Sequence, residues 1–179
     1  MELYVERGFE QTTVAEIAER AGLTSRTFFR YFADKREVLF AGSTSLQEAL
    51  VVALEGAPDS ASPMEAVAAA LDAAATFLGE GREFSRKRQA VIAANAELRE
   101  RELIKLASLS AALADALRRR GVANPNASLA AEAGVVVFRV AFERWVTDPR
   151  ERDLSQMMSE SLEQLKALTA GHRLVPSPT

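Results

Sequence analysis

Residues 21–24, Ala-Gly-Leu-Thr, constrain this chain more tightly than any other stretch, because within them one helix must end and another begin. Upstream, Val14, Ile17, Ala18 and Ala21 recur at i, i+3, i+4 and i+7 and share one helical face. Thr12 or Thr13 can cap that helix. With Thr13 at the N-cap, Glu16 stands at the third helical position, the capping-box spacing. Gly22 follows the last periodic residue, where a left-handed backbone ends a helix without a Cβ penalty. Thr24 then caps a second helix, and Leu23 and Phe28 take the positions of a hydrophobic staple that fixes its entry angle. The stretch reads helix, sharp turn, helix.

The rest of the chain extends the same pattern. Ala, Leu, Glu and Arg, all good helix formers, are abundant, and alternating β-branched runs are nearly absent. Breakers fall at Gly8, at Gly22, across 56–63, at 79–81, across 121–128 and at Asp148-Pro149. Val135, Val136 and Val137 invite a strand, but Leu129, Glu132, Val136, Val140 and Glu143 keep a helical rhythm through them. Segments are short up to Phe32 and lengthen after Asp34, the longest spanning 97–120. The expectation is an all-α chain with a three-helix head at 1–40, a larger helical body at 41–170 and a flexible tail at 171–179. A connecting element at 34–54 would act as a lever between head and body.

Composition closes off several chemistries. Lys plus Arg is 22 against 25 Asp plus Glu, a net charge of −3, so any nucleic-acid binding has to come from a local patch. Cysteine is absent, which excludes disulfides, thiolate metal sites and Cys nucleophiles. The single histidine, His172, falls in the tail, and without a second one the parts of a zinc site or a Ser–His pair are missing. No enzyme site, cofactor or metal is expected. The N-terminus, MELYVERGFE, carries charges through its apolar positions, unlike a signal peptide, and the longest purely apolar runs fall short of a membrane span. The expected protein is soluble and cytoplasmic, with no membrane partner.

The second helix of the head, TSRTFFRYF at 24–32, holds four of the chain's twelve aromatics. On a helical wheel Phe28 and Phe32 stack on one side as core, and Arg26 and Arg30 lie nearly opposite. Phe29 and Tyr31 flank the core face, so neither is fully buried. An exposed aromatic beside arginines suits base edges and thymine methyl groups in a DNA major groove. Tyr31, Lys35 and Arg36 are placed to hold phosphates. Between 24 and 36 the local charge is +3, set by Arg26, Arg30, Lys35 and Arg36 against Asp34. From spacing alone other readings stay open: two short helices that only pack together, a protein-interaction surface, or a helical small-molecule-binding protein without DNA affinity.

Residues 8–40, GFEQTTVAEIAERAGLTSRTFFRYFADKREVLF, resemble the DNA-binding head of the tetracycline-repressor (TetR) family. The elements that carry the resemblance are Gly-Phe, Thr-Thr-Val, Ile-Ala, Ala-Gly-Leu, Thr-aromatic-aromatic-x-Tyr-Phe, and Lys35 ahead of Leu39. The resemblance implies a homodimeric transcriptional regulator, usually a repressor, bound to a palindromic double-stranded DNA operator and released by a small ligand. It makes 1–40 the DNA-binding domain and 41–170 the ligand-sensing and dimerisation domain. Carried over by position, Thr12 and Thr13 cap and contact the DNA backbone, and Ser25, Arg26 and Phe29 read bases. Tyr31 and Lys35 contact phosphate, with Thr24, Thr27 and Arg30 in support. Family members usually begin with a full first helix, of which MELYVERG supplies only the last part. That implies a chain start further upstream or a trimmed head.

In the body, Glu97, Glu100 and Glu102 alternate with Arg99, Arg101 and Lys105, which reads as a solvated charged face with i, i+4 pairs. Arg86, Lys87 and Arg88 read as wet surface or as a clamp for an anionic group. Phe77, Phe84, Ile92, Leu106, Leu109, Leu113, Phe138 and Phe142 fall at helical spacings, by default core. In a sensor, Phe77, Arg88, Ile92, Leu109, Phe138 and Phe142 would line a ligand cavity. The stretch from 97 to 149 also resembles the mycofactocin-regulator-like branch of the family, which implies a mainly apolar effector with an anionic end. The last two helices, with Leu154, Met158, Leu162, Leu165 and Leu168 as an apolar stripe, are the expected homodimer surface.

Overall fold

Nine α-helices and two short 3-10 segments make up the regular structure of residues 1–170, the residues described by the computed structural model. They are α1 (Glu2–Arg7), α2 (Val14–Arg20), α3 (Ser25–Tyr31), α4 (Ser43–Glu55), α5 (Pro63–Leu78), α6 (Arg82–Ala94), α7 (Ala96–Arg119), α8 (Asn126–Thr147) and α9 (Leu154–Thr169). No strand occurs among the described residues, and 135–137 lie inside α8. The chain is all-α. The tail expected at 171–179, with His172, lies outside the described residues.

The lever expected over 34–54 is not one helix. The Asp34 carboxylate accepts from the backbone N–H of Arg36 at 2.8 Å and of Glu37 at 3.4 Å, and this cap starts a 3-10 segment, Lys35–Phe40. Only after Ala41 and Gly42 does α4 begin. Lys35–Glu55, 21 residues long and not purely apolar, contains an 18-residue window of mean hydropathy 1.3 that is long and apolar enough to cross a membrane by length and composition alone. Four of its residues are core, Leu39 and Phe40 buried in one unit and Leu50 and Leu54 in the other.

Packing divides the chain into two units. One is Met1–Thr44 together with Gly81–Lys105; the other is Ser45–Glu80 together with the described residues from Leu106 onward. The core of the first unit is Tyr4, Phe9, Leu39, Phe40, Val91, Ile92 and Leu98. Val91 and Ile92 come from α6 and Leu98 from α7, so a head at 1–40 does not close its own core. The reason is size: a segment of about 40 residues buries too small a fraction of its surface to stand alone.

In the second unit α5, α8 and α9 pack against one another. Its core runs through Leu54, Val67, Leu71, Leu113, Leu117, Ala141, Trp145, Leu154, Met157 and Met158. Helix α8 approaches α5 so closely at Gly134 that an added Cβ would stand 2.7 Å from Val67 Cγ1. The α9 stripe expected at a dimer surface is mostly internal: Leu154, Met158 and Leu162 are buried and Leu165 packs against the core. The apolar residues that α8 leaves outside are Leu129, Val136 and Val140, exposed by 66%, 43% and 39%.

Candidate nucleic-acid interface

The capping chemistry read from the sequence sets the frame. Thr13 Oγ1 accepts from the Glu16 N–H at 3.3 Å, and the Glu16 carboxylate accepts from the Thr13 N–H at 2.8 Å, closing the capping box of α2. These bonds, the backbone one first, hold the Glu16 carboxyl below the usual carboxylate range. At the other end Gly22 takes φ +68°, and the N–H groups of Gly22 and Leu23 reach back to the carbonyls of Glu19 and Ala18 at 2.9 and 2.8 Å. That pair of bonds is a Schellman ending, which only a residue tolerant of positive φ allows cheaply. Thr24 Oγ1 then accepts from the Thr27 N–H at 3.2 Å and starts α3.

Helix α3 is thereby sorted into faces. Phe28 is buried, with the half-buried Phe32 ring 5.2 Å away. Phe29 is 57% exposed and stands edge-on to Phe28, with centroids 5.5 Å apart and planes at 88°. Ser25, Arg26 and Arg30 are exposed, and Thr27 is half-buried. Tyr31 is 65% exposed, and Arg30 lies over its ring while donating to its hydroxyl at 2.9 Å. Ser25, Arg26, Phe29, Arg30 and Tyr31 therefore form one outward surface, with the exposed caps Thr13 and Thr24 near the helix starts.

Two of the expected DNA contacts are turned to other uses. Thr12 is fully buried, and its hydroxyl proton is shared between the carbonyls of Gly8 at 2.8 Å and Leu3 at 3.2 Å. It braces the turn after α1 and is closed to DNA. The Lys35 ammonium donates to the carbonyls of Phe9, Glu10 and Thr12 at 2.8, 3.2 and 3.0 Å and sits 4.4 Å above the Phe9 ring. Those three bonds use all three of its donors. Arg36 is likewise engaged, donating through Nε to Asp34 at 2.9 Å and lying 3.7 Å from Glu97.

The run 97–105 is not the solvated i, i+4 face that alternation of charge suggested. Arg101 and Lys105 pair with Glu37 at 2.6 and 3.4 Å, and Glu102 pairs with Arg88 at 3.3 Å. Arg88 also donates to the Leu39 carbonyl at 2.7 Å and lies 5.0 Å over the Phe40 ring, while burial lowers its pKa. Arg88 is a strut of the first unit, not an open clamp. No local spacing could reveal these partners, which lie up to 68 residues apart in sequence.

Of the six residues expected around a ligand, two lie in the first unit and four in the second. Arg88 and Ile92 belong to the first unit, and Ile92 is fully buried in its core. Leu109, Phe138 and Phe142 are buried in the second unit, with the two phenylalanine rings stacked 5.9 Å apart. Phe77 is 46% exposed. A cleft of about 300 Å³ in the second unit is lined by Gln47, Glu48, Val51, Val52, Ala112, Asp115 and Arg119.

Comparison with known proteins converges on one assignment. Residues 1–41 match the family model described as bacterial regulatory proteins, tetR family, and residues 61–170 match the MftR C-terminal domain. The HTH-type transcriptional regulator TcmR of Streptomyces glaucescens is 41% identical over 73 residues, which are 41% of this chain and 32% of that protein, so the chain spans about a third of TcmR. MftR of Mycobacterium tuberculosis, assigned to the transcriptional regulation of mycofactocin biosynthesis, is 27% identical across 90% of this chain and 81% of its own. The crystal structure of Thermus thermophilus FadR, a TetR family transcriptional repressor in complex with lauroyl-CoA, superposes with a TM-score of 0.52 at 25% identity, covering 100% of this chain and 94% of that one.

Proposed function

Because this chain belongs to the tetR family of bacterial regulatory proteins, with an MftR-type C-terminal domain, and is a DNA-binding transcriptional regulator, we propose that it is a cytoplasmic repressor. In this reading it binds a palindromic operator as a homodimer and leaves it when a small, mainly apolar effector binds. The observation that carries the reading is the outward placement of Arg26 and Phe29 on a helix anchored from behind by buried Phe28. The division of labour expected from the sequence, DNA at 1–40 and effector and partner at 41–170, stands as part of the proposal.

The dimer is proposed to form through α8, where Leu129, Val136 and Val140 are the apolar residues left outside. A ligand that binds one body conformation better than another shifts the population away from the DNA-competent state. Acyl-CoA thioesters are the first effectors to try, since FadR of Thermus thermophilus holds lauroyl-CoA.

The test is a gel-shift series on the region upstream of the protein's own gene against random duplex of equal length. Wild type shifts the upstream fragment at lower concentration; Arg26→Ala and Phe29→Ala lose that preference by about tenfold or more while unfolding at the wild-type temperature. Equal preference in both variants and wild type would sink the assignment. In parallel, Val140→Asp is expected to move the protein to the monomer position in size-exclusion chromatography.

A further inference from the structure

We propose that the cleft between α4 and α7 is the docking site of the chain's own residues 173–177, Arg-Leu-Val-Pro-Ser, which follow α9 and lie outside the described residues. The inference goes beyond the DNA-binding reading and does not depend on it. The cleft lies wholly in the second unit and measures about 300 Å³. Its apolar wall is Val51, Val52 and Ala112, and Val52 is 69% exposed. Its charged residues are Glu48, Asp115 and Arg119, of which Arg119 is tied to Glu55 at 2.6 Å. Asp115 pairs with Arg118 along its own exposed helix face, which leaves further acceptor positions on the carboxylate open. What remains is an apolar wall with carboxylates on both sides, a surface that fits a short apolar segment carrying one cation.

The chain supplies such a segment, since Arg173 is followed by Leu174, Val175 and Pro176. Helix α9 also delivers it to the right end of the unit. The Glu65 carboxyl, at the start of α5, is held below the usual carboxylate range by hydrogen bonds from Ser62 first and then by the charge of Lys166, in the last turn of α9. The loop ahead of Ser62 is gripped by Arg120, which donates to the carbonyls of Glu55, Ala57 and Pro58 at 3.0, 2.7 and 2.7 Å. Arg119, its neighbour in α7, lines the cleft. The end of α9 and the Arg119 end of the cleft therefore lie together. The nine residues beyond Ala170 span about 30 Å when extended. Entering at that end, Arg173 meets Asp115, Leu174 and Val175 lie along the apolar wall, and Ser177 comes to Gln47. The segment then straps α4 to α7 above the Arg119 and Arg120 ties, and a small molecule entering the cleft has to displace it.

The chain has no cysteine, so an introduced pair is read without background. In the full chain Ser177→Cys is combined with Gln47→Cys or, as a control, with Leu129→Cys, at a position 66% exposed on α8. Disulfide formation under mild air oxidation is followed on non-reducing gels. The Ser177–Gln47 pair is expected to close within one chain about tenfold faster than the control, the factor that burial of one aliphatic side chain supplies. Leu174→Asp is expected to remove that advantage. Arg173→Glu should reduce it about threefold, as loss of an exposed ion pair does, and Asp115→Arg added to it should restore the rate. Equal rates for the two pairs overturn the inference, and so does a Ser177–Gln47 bond that forms only between chains. Closure at an unchanged rate in both Leu174→Asp and Arg173→Glu also overturns it, because the segment would then pass the cleft without docking. The DNA-binding reading stands or falls separately, by the gel shifts above.

Discussion

Lys35 shows how a single side chain can match a family pattern and serve a different end. Its ammonium gathers the carbonyls of Phe9, Glu10 and Thr12, which lie 23 to 26 residues earlier in the chain. Replacing it by Met keeps the stem and strands those acceptors. We expect Lys35→Met to lower stability by about 1 kcal/mol, since two of the three acceptors left unpaired are part-buried and one is exposed, read as a shift in the denaturant midpoint. The salt dependence of DNA binding should stay as in wild type. A flattened salt dependence with no loss of stability would instead mean that Lys35 holds phosphate. Thr12 teaches the same lesson: a threonine that reads as a cap is a buried brace, with Thr13 alone capping α2.

Among elements, the caps were legible because they depend on neighbours in sequence. Thr13 with Glu16, Gly22 at positive φ and Thr24 stand as their spacing requires. Asp34 adds a consequence for acid conditions. The hydrogen bond from Arg36, first, and the backbone N–H groups it caps hold its carboxyl below the usual carboxylate range. A depressed folded-state pKa stabilises above the unfolded value, about 3.9 for aspartate, and that contribution is lost as pH falls through the lower folded value. Asp34→Asn is therefore expected to be less stable than wild type at neutral pH and to approach it as pH drops below about 4, followed by thermal melts. A gap between the two that stays constant down to pH 2.5 or so would contradict this.

Helix α8 illustrates what elements impose on one another. Gly134→Ala gains about 1 kcal/mol of helix propensity, but the new methyl meets Val67 Cγ1 at 2.7 Å. Valine is stiff at χ1 and cannot swing aside cheaply. Overpacking of this kind costs about 1–3 kcal/mol, so the net effect is expected to be destabilising. A higher melting temperature for the variant would show that α5 and α8 separate easily.

At the scale of the whole molecule, charge decides how the protein meets DNA. A net charge of −3 and a head whose arginines are mostly paired internally leave Arg26 and Arg30 for phosphates or bases. In the proposed homodimer two such heads would offer about four cations, so the slope of log K against log salt should be near −3.6. A slope beyond about −6 in titrations across a salt series would require cations that this arrangement has committed elsewhere.

Sequence alone determined the helical class, the helix-turn-helix at 13–31 and the outward stance of Arg26 and Phe29, because helical period, caps and turn residues act over four or five positions. Tertiary structure alone decided that α6 and the start of α7 complete the core beneath that motif. It also decided that Arg88 and Lys35 are structural ties, and that Leu154, Met158 and Leu162 of the α9 stripe face inward. These outcomes depend on which distant surfaces meet, and a buried donor takes whichever acceptor that meeting brings near. Nothing in the local spacing of residues carries that information.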